Sequence, residues 1–427
     1  MRRLVGSIAA LLLAAVALSA CGGSSDKGSG GGGTASTDPA AVKGTVRVIM
    51  EQVPDTDVVK ALLPAFKREY PGVDVKIEAL PYDQMRDRIV SSFLASKPAY
   101  DLIIVDNPWM RDFVDGGFLK PLDDNIKAAK GYEFQDFSQP LRDIADVNGK
   151  TYGIPFYNYA LALIYRKDLY AQAGLKPPTT LDELKASAAK LNSGGRSGIA
   201  MQPQKGYKIF EEWGNYLFGA GGQIQDASGK VTLDSPQARD ALTKYIEIYK
   251  ASAPKNSLNW AFDEAQRAVS SDKAAQLISY NWTLPTLNKE GKLKGKFGFA
   301  EVPGGKAVLG AWYWGIPSNS ATTDAAWSFV HWITSQQHDK ERVIAGGAPV
   351  RNSVMDDAQV WQKGFGQDYY QTVKKILEDA APLADGPNAE EMINVVGEQL
   401  NAAVAGQKSV DEAIKQAASG AQETLNK

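Results

Sequence analysis

The sequence predicts an α/β protein with two lobes, and three observations lead to this fold class. The chain has 427 residues, 44% of them hydrophobic, which is enough for a large core but long for one domain. Strand and helix patterns alternate between residues 45 and 105, in the order that produces a parallel sheet flanked by helices. Helical patterns dominate after residue 180. We therefore expect a second lobe there.

The first 20 residues are typical of a secretory signal peptide. Two arginines precede an apolar run from Leu4 to Leu18, which is too short to span a bilayer comfortably. Small residues then lead to Cys21, the only cysteine of the chain. The tetrapeptide that ends at Cys21 resembles a bacterial lipoprotein box, which predicts that Cys21 becomes a lipidated N-terminus on the outer face of the cytoplasmic membrane. The alternative is an ordinary secretory signal with a free cysteine nearby.

A Gly- and Ser-rich tether is predicted to follow, over residues 21–43. Its stretch from Gly22 to Ala40 has almost no apolar side chain, so it cannot collapse onto a core. A flexible coil of ~19 residues has a typical reach of roughly 25 Å. This is enough to hold a domain away from a membrane surface.

Charge and residue usage argue against several classes of function. The chain has 47 basic and 49 acidic side chains, with a formal net charge of -2, and its basic residues form no run. We therefore expect no nucleic-acid partner. It has two histidines and one cysteine, and neither a Gly-x-Ser-x-Gly nor a His-Glu-x-x-His motif. We predict no catalytic residue, no metal site and no cofactor.

The first lobe is predicted to begin with a βαβαβ unit. Strand patterns cover residues 45–50, 73–79 and 102–105, and helical patterns cover residues 57–70 and 82–96. Ligands of open parallel sheets bind beyond the carboxyl ends of the strands. Later helical patterns cover residues 182–191, 208–218, 236–250, 262–270, 323–345, 388–405 and 409–425.

Polar and aromatic side chains follow the three strands of this unit. Gln52 follows the first strand, Tyr82 the second, and Asp106, Asn107 and Trp109 the third. A carboxylate, an amide and an indole within four residues offer an acceptor, a donor and a flat apolar face. The alternative is structural, with Asp106 capping the next helix and Trp109 packing beneath it.

Two later strand patterns also place aromatic residues near a possible binding site. The strand pattern at residues 274–279 is followed by Trp282. In the pattern at residues 309–316, alternation puts Trp312 and Trp314 on the same face. We expect one of these two indoles to contact a ligand and the other to pack in the core.

The stretch from Gly149 to Leu184 carries a family resemblance. It contains a Gly-Lys-x-Tyr-Gly-x-Pro segment, an apolar run, a Tyr-x-Lys-Asp-Leu segment, a Gly-Leu turn and Pro-Pro-x-Thr. On these segments the chain resembles the extracellular solute-binding proteins of ABC importers, in the maltose-binding-protein-like branch that binds sugars and polyols. Arg166 departs from the pattern, because the family usually has Asn or Asp there. The matching residues are Gly149, Lys150, Tyr152, Gly153, Pro155, Tyr165, Lys167, Asp168, Leu169, Gly174, Leu175, Pro177, Pro178 and Thr180.

The resemblance implies a type II periplasmic-binding-protein-like fold. In this fold two lobes, each with a central mainly parallel sheet flanked by helices, are joined by a multi-strand hinge. We expect the N-terminal lobe to comprise residues 44–153 and 312–348, and the C-terminal lobe to comprise residues 154–311 and 349–427.

The resemblance also implies a function and a set of ligand contacts. It implies a receptor, expected to be a monomer and not an enzyme, that closes on a carbohydrate and delivers it to the permease subunits of an ABC transporter. In the family the residue that matches Trp282 stacks on a sugar ring, and the crossings between the lobes lie beside the cleft. The candidate ligand contacts are Gln52, Tyr82, Asp106, Asn107, Trp109, Tyr157, Tyr159, Trp282, Trp312, Trp314 and Arg351. The alternatives are an exported carbohydrate-active enzyme and a surface lectin without a role in transport.

Overall fold

The computed structural model describes residue 39 and residues 41–427, with the exception of residues 227, 290 and 385. The predicted signal peptide, Cys21 and almost all of the predicted tether lie outside the described residues. Within the described part, no helix combines the length and the apolar character that crossing a bilayer requires.

Strands and helices alternate from β1 to α3, and runs of consecutive helices make up much of the rest of the described chain. The strands are β1 (Gly44–Glu51), β2 (Val73–Leu80), β3 (Leu102–Asp106), β4 (Asp146–Val147), β5 (Lys150–Thr151), β6 (Ile154–Asn158), β7 (Leu161–Arg166), β8 (Gln276–Tyr280), β9 (Phe297–Ala300) and β10 (Ala311–Gly315). The helices of the first half are α1 (Pro54–Glu69), α2 (Tyr82–Leu94), α3 (Asn107–Asp115), α4 (Asp123–Ala128), α5 (Gln139–Ala145), α6 (Lys167–Gln172), α7 (Leu181–Leu191), α8 (Tyr207–Gly219) and α9 (Pro236–Ser252). The helices of the second half are α10 (Phe262–Ser270), α11 (Thr283–Lys289), α12 (Thr323–Ile333), α13 (Gln336–Ile344), α14 (Asn352–Met355), α15 (Ala358–Lys363), α16 (Gln367–Asp379), α17 (Ala389–Val404) and α18 (Val410–Leu425).

The larger sheet contains the predicted βαβαβ unit. Its strand order is β2-β1-β3-β10-β6. Strand β1 pairs in parallel with β2 and β3, whereas β10 pairs antiparallel with β3 and β6. Helix α1 begins three residues before the predicted helix because Pro54 occupies its first turn, where a missing N–H costs nothing. The α/β class predicted from the sequence is confirmed.

The smaller sheet has the order β8-β7-β9, and β7 pairs antiparallel with both neighbours. The expectation of a mainly parallel sheet is therefore wrong for these three strands. The physical reason is the position of β7. Strands β8 and β9 run in the same direction and are joined through α11, as in a crossover unit, but β7 enters between them from the opposite direction.

The apolar run at residues 154–165 divides between the two sheets. Strand β6 lies in the larger sheet and β7 lies in the smaller one, so the chain passes between sheets at Tyr159 and Ala160. A second segment runs beside this crossing, because Tyr159 N donates to Gly310 O at 2.8 Å and Leu161 N donates to Val308 O at 3.0 Å. The larger sheet therefore includes residues 154–158, which the sequence analysis assigned to the second lobe.

The helix predicted over residues 323–345 is interrupted. Helix α12 ends at Ile333 and α13 begins at Gln336, because the Ser335 side chain accepts a hydrogen bond from the backbone N of His338 and so caps a new helix. The polar residues between the two helices, rather than the apolar pattern, decided this boundary.

Candidate functional site

Asp106 lies at the centre of a group of polar and aromatic side chains, which we call the Asp106 cluster: Tyr82, Asp106, Asn107, Tyr159 and Tyr207. Asp106 ends β3 and is 1% exposed. The Tyr82 hydroxyl donates to Asp106 Oδ2 at 3.0 Å, and the Tyr159 hydroxyl donates to Asp106 Oδ1 at 2.6 Å. Burial raises the pKa of Asp106 well above its usual range, although the hydrogen bonds from the two tyrosines oppose this shift.

Besides the first turn of α2, which contributes Tyr82, the Asp106 cluster joins four parts of the chain. Asn107 Oδ1 lies 3.1 Å from the Tyr159 hydroxyl and accepts a hydrogen bond from Ala311 N at 3.2 Å, at the start of β10. The hydroxyls of Tyr159 and Tyr207 are 3.4 Å apart. The end of β3, the start of β10, the crossing after β6 and the first turn of α8 therefore converge on one point.

Three further aromatic rings surround this cluster. Tyr82 stacks on Trp109, with ring centroids 5.4 Å apart, and meets Trp312 edge to face at 5.9 Å. The other side of Trp312 stacks on Tyr157 at 5.9 Å. The Tyr157 hydroxyl donates to Glu51 Oε2 at 3.1 Å, so a second carboxylate, at the end of β1, joins this aromatic wall.

Gly310 allows Tyr159 to reach Asp106. A Cβ atom at Gly310 would lie 1.6 Å from the Tyr159 ring, a distance that no side chain can tolerate. The Tyr159 ring therefore lies directly over the backbone at Gly310, in the segment that runs beside the crossing after β6. Glycine is required here for close approach of a ring, not for an unusual backbone conformation.

A second group, the Glu211 cluster, consists of Lys208, Glu211, Tyr280, Trp282 and Phe262. The Tyr280 hydroxyl donates to Glu211 Oε2 at 2.9 Å, and Lys208 Nζ contacts both that oxygen, at 3.1 Å, and the Tyr280 hydroxyl. Burial is the largest single influence and acts to lower the pKa of Lys208, but the charge of Glu211, the proximity of Tyr207 and the hydrogen bond to Glu211 together leave the pKa raised. This lysine is charged.

The two clusters touch through their tyrosines. The ring of Tyr280 meets the ring of Tyr159 edge to face, with centroids 5.7 Å apart. On its other side Tyr280 stacks on Trp282 at 5.4 Å, and Trp282 also contacts Phe262 at 5.0 Å. Trp282 is half-buried. A continuous row of rings thus runs from the larger sheet to the end of β8 in the smaller sheet.

Two cavities adjoin the Asp106 cluster. One of about 710 Å³ lies beside Tyr82, between helices α2, α3 and α17. Arg86 spans it, with Arg86 Nε 3.0 Å from a Glu390 carboxylate oxygen and Arg86 Nη2 3.3 Å from an Asp112 oxygen. The other, of about 350 Å³, is lined in part by Asn107. Both volumes lie within the range of small-molecule sites.

The model of one protein family, the bacterial extracellular solute-binding proteins, matches residues 52–340. The chain belongs to this family. A similar curated relative is a probable amino-acid ABC transporter periplasmic-binding protein of Sinorhizobium fredii, which is 26% identical over 81% of this chain and 81% of its own length.

Two solved structures of solute-binding proteins are also similar to this chain. The ribitol complex from Agrobacterium radiobacter K84 superposes with a TM-score of 0.80, at 26% identity, over 90% of this chain and 99% of that protein. The maltose-bound MalE3 of T. maritima superposes with a TM-score of 0.82, at 26% identity, over 89% of this chain and 100% of that protein. This likeness confirms the predicted type II periplasmic-binding-protein fold.

Most of the candidate residues predicted from the sequence of this solute-binding protein lie together. The structure brings into contact Tyr82, Asp106, Asn107, Trp109, Tyr157, Tyr159 and Trp312. Trp282 joins them through Tyr280. Trp109 has no exposed surface and supports Tyr82 and Trp312 from behind.

Gln52 and Trp314 do not join this group. Gln52 is exposed, and its backbone N donates to Leu80 O at 2.9 Å. Trp314 has no exposed surface; its ring packs on Phe156 at 4.5 Å and on Phe329 at 5.8 Å. Of the two indoles on β10, Trp312 therefore lies at the cluster and Trp314 lies in the core.

Arg351 contacts neither the Asp106 cluster nor the Glu211 cluster, contrary to the expectation from the family resemblance. It is fully buried, and its guanidinium donates to three backbone carbonyls, those of Thr334, Glu133 and Tyr132, at 2.8, 3.1 and 3.0 Å. Asp136 lies 3.3 Å away, and the Phe137 ring is 4.0 Å from the guanidinium carbon. A buried cation needs such partners, and these hold Arg351 as a structural clamp.

Six residues at the site are not among the candidates from the sequence: Tyr207, Lys208, Glu211, Tyr280 and Phe262 within the two clusters, and Glu51 beside them. Tyr207, Lys208 and Glu211 lie within the first two turns of α8, a spacing that is equally typical of an ordinary amphipathic helix. At the end of the first strand, the candidate ligand contact is Gln52 and not its neighbour Glu51. The resemblance implies glycine at the position of Tyr280. This departure is the one feature of the sequence that points to Tyr280 as a residue of the site.

Proposed function

We propose that this protein is the binding receptor of an ABC importer, and that it captures a sugar or a polyol outside the cell. The observation that carries this proposal is the Asp106 cluster, where carboxylate and tyrosine oxygens lie beside the rings of Tyr82 and Trp312. A sugar offers hydroxyl groups as donors and C–H faces that stack on aromatic rings. The cavity of about 710 Å³ beside Tyr82 gives a ligand of that size room next to these groups.

Relatives support this ligand class. The two similar structures described above hold ribitol and maltose, one a polyol and the other a disaccharide. The relative from Sinorhizobium fredii is described as a probable amino-acid transporter component. An amino acid carries a carboxylate that needs donors, and the one cation of the two clusters, Lys208, is already paired with Glu211. The polar groups of this chain therefore favour a sugar or polyol.

Delivery to a permease requires that the ligand change the shape of the receptor. We propose the two lobes that the sequence indicates, residues 44–153 with 312–348 and residues 154–311 with 349–427, acting as a monomer, except that residues 154–158 and Ala311, which lie in the larger sheet, belong to the first lobe. The crossings at residues 159–161 and 308–310 provide the hinge. The ligand stabilises the closed form only by binding it more tightly than the open form, and contacts from both sheets give it that difference.

Binding without turnover is the expected result of a thermal-shift screen of the mature protein against sugars, polyols, amino acids and peptides. A sugar or polyol at about 100 times its dissociation constant should add roughly 2.7 kcal/mol to the free energy of unfolding. The ligand should be recovered unchanged after incubation, because we assign no catalytic group. Asp106→Asn serves as the negative control and should lose the shift.

Other outcomes of the screen decide against the proposal. A shift with amino acids or peptides alone would mean that the ligand class is wrong. Consumption of the sugar would favour an exported enzyme. An unchanged radius of gyration at saturating sugar, measured by small-angle scattering, would favour a rigid lectin.

We also propose that Cys21 carries the lipid that anchors the receptor to the outer face of the membrane. The support is the sequence of small residues before the only cysteine and the polar tether behind it. Stable anchoring needs two or more acyl chains, since one chain binds only marginally. Cells fed labelled palmitate should label the parent protein and leave a Cys21→Ser variant unlabelled. Label on the variant would contradict the assignment.

A further inference from the structure

We propose that Glu211 determines ligand specificity, by accepting a hydrogen bond from a hydroxyl group of an uncharged ligand and by excluding the anionic counterpart of that ligand. This inference rests on the proposed function, because it concerns the same site. It specifies that the ligand is uncharged, and it names the residue that selects uncharged ligands over anionic ones.

The first argument is the hydrogen bonding of the Glu211 carboxylate. Glu211 is 2% exposed. Its Oε2 atom receives the Tyr280 hydroxyl at 2.9 Å and lies 3.1 Å from Lys208 Nζ. Its Oε1 atom is buried and has no hydrogen-bond partner among the residues that the structure describes. Buried carboxylate oxygens are nearly always paired. Glu212 Oε1 and Asp339 Oδ2 also have no partner among the described residues, but of these three carboxylates only Glu211 accepts from a tyrosine of the site, so we assign a ligand hydroxyl as the donor to its Oε1 atom.

The second argument is the direction in which Glu211 faces. Tyr207, one turn earlier on α8, has its hydroxyl 3.4 Å from that of Tyr159. Burial raises the pKa of Tyr159 and Tyr207 well above the usual value, and the charges of Asp106 and then Glu211 add to the shift in both. Glu211 accepts from Tyr280, the Tyr280 ring meets the Tyr159 ring, and Tyr159 donates to Asp106, so contacts link the two carboxylates. A ligand at the row of rings would lie within reach of both carboxylates.

The third argument is the balance of donors and acceptors. Four of the five tyrosines of the site donate their protons to carboxylates: Tyr82 and Tyr159 to Asp106, Tyr157 to Glu51, and Tyr280 to Glu211. The oxygen lone pairs of Tyr82 and Tyr157 remain as acceptors, whereas the Tyr280 oxygen already contacts Lys208 Nζ. Lys208 is held by Glu211 and Tyr280, with the rings of Tyr207 and Tyr280 each 5.1 Å away. The lining thus presents acceptors and negative charge, which suit hydroxyl donors and repel a carboxylate or phosphate.

The test compares neutral ligands with their oxidised, anionic counterparts. The probes are ribitol with ribonate, D-mannitol with D-mannonate, and maltose with maltobionate, measured by calorimetry on the mature parent protein. Two like charges about 5 Å apart near a protein surface repel strongly enough to weaken binding by on the order of 100-fold. We expect a neutral member of at least one pair to bind, and its anion to bind about 100-fold more weakly.

The variant Glu211→Gln should act on both members of the pair. Loss of a charged acceptor should weaken the neutral ligand by roughly 10-fold. Removal of one negative charge should relieve repulsion of the anion, so that the ratio of the two affinities falls toward unity. The change in this ratio separates a role in recognition from a role in folding alone.

The neighbouring residue offers a matched control. Glu212 lies on the same helix, is 1% exposed and also has an Oε1 atom without a partner among the described residues. Its Oε2 atom accepts from the Tyr245 hydroxyl and from Gln202 N, both at 2.6 Å, and neither residue belongs to the two clusters. It therefore faces the core. Glu212→Gln should leave both affinities and their ratio unchanged.

The outcomes separate this inference from the proposed function. Equal binding of a neutral sugar and its anion would overturn the role of Glu211 and leave the proposed function standing. An equal loss of affinity in Glu211→Gln and Glu212→Gln would have the same meaning. Failure of every sugar and polyol to bind would overturn both proposals. If Glu211→Gln does not fold, the affinity ratio in the parent protein decides.

Discussion

Trp312→Ala is expected to abolish most ligand binding, whereas Trp314→Ala is expected to bind ligand normally. The two indoles lie two residues apart on β10, and both are almost fully buried. Trp312 contacts Tyr82 and Tyr157, so its loss removes a wall of the proposed site. Truncation of an aromatic anchor typically weakens binding by about 2–4 kcal/mol.

Both variants should lose stability, which makes them a matched pair. Replacement of a buried tryptophan by alanine costs about 3–5 kcal/mol of unfolding free energy, because a cavity remains. Trp314 packs on Phe156 and Phe329. The Trp314→Ala substitution should therefore lower the free energy of unfolding without changing the affinity for ligand. Calorimetric titration and chemical denaturation of both variants distinguish the two roles. Normal affinity in Trp312→Ala would show that the site is misplaced.

The stability of this protein is expected to fall as the pH rises from about 4.5 to about 8, and Glu212 is expected to account for much of the fall. Burial raises the pKa of Glu212 from its usual 4.5 to about 8, although hydrogen bonds from Tyr245 and Gln202 oppose the shift. Between these two values the folded protein retains a proton that the unfolded chain releases. The unfolding free energy therefore decreases as the pH rises through this window, by about 1.4 kcal/mol per pH unit.

The variant Glu212→Gln isolates this contribution. Glutamine has the same shape and does not titrate, so the difference in unfolding free energy between parent and variant should change by about 3–5 kcal/mol between about pH 5 and about pH 9. As the pH rises, the unfolding free energy of the parent should decrease relative to that of the variant. Urea denaturation at a series of pH values measures this. A difference independent of pH would mean that Glu212 is ionised in the folded protein.

The sequence predicted the first part of the site because that part depends on local patterns and one topological rule. Strand patterns, with alternation for β1 and a continuous apolar run for β3, located β1, β2 and β3 to within one residue at each end. The carboxyl ends of parallel strands meet at one edge, so Tyr82 and Asp106 were expected to lie close together, and the Tyr82 hydroxyl indeed contacts Asp106.

Residues contributed by α8 could not be selected in the same way. Tyr207, Lys208 and Glu211 belong to a helix whose pattern fits many environments. Their role depends on the approach of α8 to the crossing at Tyr159, a contact between residues 48 positions apart. Nothing within the helix itself specifies that contact.

The sequence by itself determined the α/β class, the paired strands and helices of the first unit and the resemblance to solute-binding proteins, because each is encoded over short stretches by hydrophobic periodicity, turn residues and motif spacing. Only the tertiary structure decided which similar residues serve the site. Trp312 pairs with Asp106 and Tyr157, at the carboxyl ends of β3 and β6, whereas Trp314 pairs with Ile104 in the middle of β3 and with Ile154 at the start of β6. Arg351 found its carbonyl partners more than 200 residues away, at Tyr132 and Glu133. Such partners are set by the packing of distant segments, which no local pattern records.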